Sequence, residues 1–212
     1  LCLGFCVSYS KHKTYFSMID HQFITGFVLA GGESRRMGVD KGMLSHNGKP
    51  MIEHVIQALL PHAKPIFILA NNDNFNHFGY PVFSDQIKNS GPISGICNGL
   101  SISNTEWNIF VSCDSPFITP ELISFLITQS NGYEAVVPSY KGKTYPLTAI
   151  YKSSCLVVFK NLLEQKKLRV KDALPLLNVK TVELSDDLPF FHEKLLININ
   201  TPEDYEKHKH YC

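Results

Sequence analysis

The tightest constraint on this 212-residue chain is one stretch, Phe27-Val-Leu-Ala-Gly-Gly-Glu-Ser-Arg-Arg-Met-Gly-Val-Asp-Lys41. An apolar run from Phe23 to Ala30, broken by Thr25 and Gly26, leads into it and reads as a buried parallel strand. It then breaks into Gly31 and Gly32, which carry no Cβ and let the backbone take positive φ and approach a ligand closely. Successive N–H groups in such a turn form an anion-binding concavity. Arg35, Arg36 and Lys41 add full positive charges within the same loop, two as planar forks that match phosphate and one as a compact point charge. A polyphosphate is the guest this chemistry suits. On composition alone, a glycine-rich turn with solvated basic residues stays open as the alternative.

Two familiar phosphate loops fail here. A Walker loop needs Gly-x4-Gly-Lys-Ser/Thr, whereas five residues separate Gly32 from Gly38 and Val39 comes next. The dinucleotide fingerprint needs Gly-x-Gly-x-x-Gly, and this stretch has Gly-Gly-x5-Gly. Leu29 to Lys41 instead resembles the signature loop of nucleotidyltransferases with the nucleotide-diphospho-sugar transferase fold, Leu-Ala-(Gly/Ala)-Gly-x-x-x-Arg-Met-Gly-x-x-Lys. Within that superfamily, Gly31 after Ala30 together with Asp40-Lys41 resembles the molybdenum cofactor guanylyltransferases. The resemblance implies a three-layer α/β/α, Rossmann-like fold with a mostly parallel central sheet.

Composition excludes several other classes. Hydrophobic residues at 44% and charged residues at 18% describe an ordinary globule. A net charge of +1 supplies no global field for nucleic acid, so basic function has to be local. No run of about 20 apolar residues offers a membrane span. The six cysteines are scattered without a Cys-x2-Cys pair, which suits free thiols in a reducing cytoplasm and argues against zinc. Residues 1–17 differ in character from the rest of the chain: Lys11, His12 and Lys13 come after the apolar stretch, the reverse of a secretory signal. The expectation is a non-native or disordered extension over 1–17, with Met18 as the natural start, and one nucleotidyltransferase domain over 18–212.

Along the chain, Met51, Ile52, Val55, Ile56, Leu59 and Leu60 recur at helical spacing after Pro50, and Pro61 ends the pattern. Pro65 to Ala70 reads as a second strand and makes a βαβ unit, whose parallel sheet gathers ligands at the strands' carboxyl ends. Both the glycine loop and Asn71 belong to that edge. A short strand at Pro81–Phe83 leads to Asp85, and Gly91-Pro-Ile-Ser-Gly95 opens a helix running through Ile102. That segment resembles the family's Gly-Pro-Leu-x-Gly, with Ile93 for Leu. The resemblance puts Asn71, Asp85, Gly91 and Gly95 around a guanine base and its ribose. Guanine's N1–H and N2–H donors call for a carboxylate or carbonyl.

The strand Trp107–Ser112 ends in Cys113-Asp-Ser-Pro-Phe117. An acidic residue at a strand's carboxyl end, facing a phosphate loop, is well placed to hold a divalent ion. Asp114 as a helix cap is the competing role, but Thr119-Pro120 suits that better. Cys-Asp-x-Pro-Phe also resembles the family's metal motif, and Cys113 reads as a packing residue rather than a nucleophile. Further strands are expected at Glu134–Pro138 and Tyr145–Tyr151, with a helix from Ser153 to Leu163. Lys166–Lys171 reads as a solvated helix start, or alternatively as a surface for a phosphorylated acceptor. Leu195–Asn200 is expected to end a strand, with Thr201 capping a helix and Pro202 in its first turn. His208-Lys-His210 reads as the solvated end of that helix. The segment resembles the family's closing Asn-x-Asn-Thr-Pro-Glu motif, which implies that Asn198 and Asn200 lie on the acceptor or metal side.

Taken together, the resemblance implies transfer of GMP from GTP to molybdopterin, with release of pyrophosphate. Arg36, Lys41 and Asp114 would carry the chemistry. Leu29, Ala30, Gly31, Gly32, Arg36, Lys41, Asn71, Asp85, Gly91, Gly95 and Asp114 would bind nucleotide, and Asp114 would hold Mg2+, or Mn2+ in its place. It also implies a cytoplasmic protein that makes transient contact with cofactor-insertion chaperones or molybdoenzymes. Three alternatives remain: a cytidylyltransferase on the same cofactor, a sugar-1-phosphate nucleotidyltransferase, and a non-catalytic nucleotide-binding module.

Overall fold

In β1 (Ile24–Leu29) every residue is buried, as a strand must be when helices cover both faces of its sheet. The computed structural model describes residues 24–31, 40–84 and 90–208. After the basic loop come a short hairpin, β2 (Ser45–His46) and β3 (Lys49–Pro50), then α1 (Met51–Leu59). β4 (Ile66–Leu69) and β5 (Val82–Phe83) come next, then α2 (Gly91–Ile102), β6 (Trp107–Ser112) and α3 (Pro120–Thr128). The second half holds β7 (Ala135–Tyr140), β8 (Lys143–Thr144), β9 (Thr148–Lys152), α4 (Leu156–Glu164), β10 (Val179–Glu183) and α5 (Pro202–His208).

Among the described residues the main sheet runs β10-β7-β9-β6-β1-β4-β5, with β8 paired to β7. β1 is parallel to β4 and β6, and β10 is parallel to β7, while β9 is antiparallel to β6 and β7. The carboxyl ends of β1, β4, β6 and β7 therefore share one edge. Side chains alternate between two cores, as the pleat requires. Ile24, Val28, Ile109, Val111, Val136 and Ile150 meet α1 and α3 on one face. Phe27, Leu29, Phe110, Val137 and Tyr151 meet α2 and α4 on the other. Gly99 lets α2 lie directly on β6, because a Cβ there would fall 2.6 Å from the Phe110 ring.

The three-layer, mostly parallel architecture agrees with the sequence reading, as does Thr119, whose side chain accepts from the Leu122 N–H at the start of α3. Five local features differ from expectation. The strand expected over Tyr145–Tyr151 starts only at Thr148. Before it, Lys141 (φ 50) and Gly142 (φ 74) make a tight hairpin turn, and Tyr145 N–H donates to the Pro138 carbonyl at 2.9 Å. Lys166–Lys171 does not open an α-helix; it runs through Lys166 at φ 56 into a 3-10 turn over Val170–Leu176. β10 is a strand absent from the sequence expectations, although Val179, Thr181 and Val182 are β-favouring residues.

The fourth change concerns Leu195–Asn200, which forms no strand. Leu195, Leu196 and Ile199 sink into the core, while Ile197 N–H bonds locally to the Lys194 carbonyl at 2.9 Å. The backbone thus spends its hydrogen bonds on turns with residues just before it and, at Ile199, on the Asp114 carbonyl, instead of along a sheet edge. His208 also departs from expectation: it is buried, packed edge-on against Phe117.

Candidate functional site

Asp114 sits where β6 runs out. Cys113 N–H extends the ladder by one bond to the Leu29 carbonyl at 3.0 Å, and Ser115 N–H turns back to the Ser112 carbonyl at 3.2 Å. The carboxylate in between emerges at the carboxyl edge of the sheet with its side chain only 13% exposed. Burial raises its pKa above the ordinary carboxylate value, opposed by a hydrogen bond from Ser112, the Lys41 charge and a hydrogen bond from Asn198. A cation seated there would relieve the cost of ionising it.

Lys41 reaches the same corner from the end of the basic loop. Its Nζ lies 3.8 Å from Asp114 Oδ2 and donates to Asn200 Oδ1 at 2.8 Å. Gly42 makes this approach possible. The 3-10 turn Lys41–Met43 rests directly on Cys113 and Phe75, and a Cβ at Gly42 would come within 3.3 Å of Cys113 and 3.1 Å of the Phe75 ring. The sequence reading does not single out Gly42; its place directly after the lysine is the available signal. Cys113 is buried, and burial pushes its thiol pKa far up, which suits packing and leaves no nucleophile.

The closing segment supplies the third side. Asn198 Nδ2 donates to Asp114 Oδ1 at 3.0 Å, and Ile199 N–H donates to the Asp114 backbone carbonyl at 2.8 Å. With Ile199 buried between them, Asn198 and Asn200 both reach the corner. A reciprocal capping box anchors the segment: Asp204 N–H donates to Thr201 Oγ1 at 3.1 Å, and Asp204 Oδ2 accepts from the N–H of Asn200 at 3.1 Å and of Thr201 at 3.0 Å.

Of the residues singled out from sequence, Lys41, Asp114, Asn198 and Asn200 are brought into mutual contact. Leu29 and Ala30 end β1 at the same edge, with Ala30 N–H bonded to the Leu69 carbonyl at 2.8 Å, and Gly31 comes directly after. Asn71 is exposed just past the end of β4. Gly91, at φ 64, opens α2, in which Gly95 is buried. Since α2 carries the chain from β5 across to β6, it starts from this edge too. Gly32, Arg35, Arg36 and Asp85 lie outside the described residues, as do residues 1–17 and His210. Among the described residues no group of three or more His, Cys, Asp or Glu side chains converges to hold a metal. The donor set fits an ion that takes one carboxylate here and completes its shell with phosphate oxygens and water, as Mg2+ does. No helix among them is long and apolar enough to cross a membrane.

Known proteins resemble this chain in sequence and in fold. Residues 26–175 match the family described as MobA-like NTP transferase domain. A relative from Carboxydothermus hydrogenoformans, named "Probable molybdenum cofactor guanylyltransferase", is 35% identical over 188 residues, covering 88% of this chain and 95% of its own. The "Molybdenum cofactor guanylyltransferase" of Vibrio parahaemolyticus is 36% identical over 182 residues, covering 84% of this chain and 90% of its own. The crystal structure of molybdopterin-guanine dinucleotide biosynthesis protein A from Archaeoglobus fulgidus superposes with a TM-score of 0.73 at 25% identity, covering 87% of this chain and 96% of that one. With a matching family model over most of its length and relatives above 30% identity across nearly all of it, the chain belongs to the MobA-like NTP transferase family and is a nucleotidyltransferase by kinship.

Proposed function

We propose that this protein transfers GMP from GTP to the terminal phosphate of molybdopterin, forming molybdopterin guanine dinucleotide and releasing pyrophosphate. The observation that carries the reading is the corner where Asp114, Lys41, Asn198 and Asn200, drawn from three distant segments, meet at the carboxyl edge of the sheet. The names borne by the relatives supply the nucleotide and the acceptor.

The acceptor's phosphate monoester is largely dianionic near neutral pH, its second pKa being about 6, so it needs no general base. What the reaction needs is relief of repulsion against an anionic triphosphate and in-line placement. Lys41, with Arg36 and the loop amides, would hold the triphosphate. Asp114 would hold Mg2+, or Mn2+ in its place, and the ion supplies charge neutralisation at the α-phosphate. Asn198 orients the Asp114 carboxylate through its carboxamide, and Asn200 holds the Lys41 ammonium at the same edge. Asn71, Asp85 and the Gly91–Gly95 segment would recognise the base. A cytoplasmic setting and transient contact with cofactor-insertion chaperones or molybdoenzymes belong to the same proposal.

Pyrophosphate release tests it, with purified protein, Mg2+ and molybdopterin, supplying GTP or CTP in turn. Release with GTP alone is the expected result. Release with CTP alone would keep the mechanism and overturn the base. Binding without release from either would turn the reading to another acceptor or to a non-catalytic module.

A further inference from the structure

Asp40 stands directly before Lys41, at the N-cap of the Lys41–Met43 turn, yet its side chain caps nothing there. Its carboxylate crosses instead to the loop after β4. Asn72 Nδ2 donates to the two carboxylate oxygens at 3.4 and 3.3 Å, and Asn74 Nδ2 donates to Oδ2. Asn72 is itself fixed, because its Oδ1 accepts from the Asn74 N–H at 3.0 Å as the cap of the 3-10 segment Asp73–Phe78. On the other side of Lys41, the same two segments meet again without polarity, Gly42 lying against the buried ring of Phe75. Lys41 is therefore flanked by two ties to one loop, one hydrogen-bonded and one apolar, and that loop begins at Asn71.

Building on the nucleotidyl-transfer reading above, we infer that Asp40 is a positioning residue that couples the base-side loop Asn71–Asn74 to the phosphate-side Lys41. A correctly seated base steadies the loop, the loop steadies the Asp40 carboxylate through Asn72 and Asn74, and Lys41 is thereby held in register for the triphosphate. A wrong base leaves the loop displaced and the lysine out of place. Discrimination between bases then depends on a residue that touches no base.

The measurement is kcat and KM with GTP and with CTP for the full chain, its Asp40→Ala and Asn74→Ala variants, and the exchange pair Asp40→Asn with Asn74→Asp. Hydrogen bonds to a charged group are the tie being cut, so the preference of kcat/KM for the favoured nucleotide should fall about tenfold in each single variant. The loss should come through the KM of the favoured nucleotide, with the melting temperature held. The exchange pair, which restores one carboxylate facing one carboxamide, should regain most of the preference. An Asp40→Ala variant in which both nucleotides lose by an equal factor, or neither loses, overturns the inference, since a merely structural residue would act on both alike. A wild-type protein that uses neither nucleotide overturns the proposed function and this inference with it. Failure of the coupling alone leaves wild-type turnover intact.

Discussion

Asp114 at the carboxyl edge of β6 and His46 beneath α5 are both polar side chains taken out of water, and burial acts on both in favour of the neutral form. Their surroundings differ. Around Asp114 stand a cation and the carboxamide of Asn198. His46 is packed edge-on between His54 at 5.2 Å and Phe117 at 4.9 Å, and its Nδ1 has no hydrogen-bond partner among the described residues. His208 also packs against Phe117 at 5.8 Å, and Tyr205 of the same helix donates to the Ser45 carbonyl at 2.8 Å. In the proposed function, the first corner keeps a carboxylate ready for charge that arrives from outside. The second fastens α5, and with it the Asn198–Asn200 segment, onto the hairpin after Lys41. In that reading one burial serves the chemistry and the other holds its groups in place.

Asp114 is the side chain whose loss should cost most. Asp114→Ala should lower turnover by on the order of 10², the size of losing one electrostatic stabiliser of a transition state. The fold should survive, because the variant removes a costly buried charge; near-wild-type turnover would remove Asp114 from the reaction. Lys41→Ala should weaken nucleotide use by a similar factor, read as kcat/KM for GTP, and an unchanged value would make Lys41 a surface residue.

Acid sharpens the contrast with a smaller effect. His46 is lowered from its ordinary 6.5 by burial and then by His54, with a hydrogen bond to the His208 backbone opposing and the His208 charge adding to the lowering. His208 is lowered by burial and by Lys207 and Lys194, against Asp204. A histidine with a depressed folded pKa stabilises the fold fully above about 6.5 and loses that contribution as pH falls through the lower folded value. Asp114, whose folded pKa is raised, has the opposite sign: its contribution is complete below the unfolded value and is lost as pH rises through the folded one. Thermal unfolding measured from about pH 7.5 down to about pH 5 should show a falling midpoint. His46→Gln should flatten that fall, and an equally steep profile in the variant would mean that the histidine corner does not set it.

Much of the fold is legible because its signals are local. The apolar run before Gly31, the helical spacing over Met51–Leu60 and the strand Trp107–Ser112 each declare themselves within a few residues, and the structure keeps them with shifted ends at most. Thr119 and Thr201 cap the helices their neighbours announce. Where local signals conflict with a partner elsewhere, the reading slips. Leu195–Asn200 is apolar enough for a strand, but Ile199 N–H bonds to the Asp114 carbonyl and its neighbours turn to local bonds, so no ladder forms. β10 exists because β7 offers it an edge, a fact no stretch of its own residues records.

The site divides in the same way. Residue types at short spacing point to Lys41 and Asp114, since phosphate and a divalent ion each demand particular side chains, whereas Asn198 and Asn200 enter only through the resemblance of their segment to the family's closing motif. Which of them touch is decided by sheet order and packing. Lys41 meets Asn200 across 159 residues, Asn198 meets Asp114 across 84, and Asp40 meets Asn74 across 34. Such pairs form only once β6 lies beside β1, Gly42 lets the turn settle on Cys113, and α5 is pinned at Tyr205 and His208. The kinds of group that the proposed chemistry needs are written in residue identity, so they are legible from sequence alone. Proximity is a property of the folded chain, so it waited for the tertiary structure.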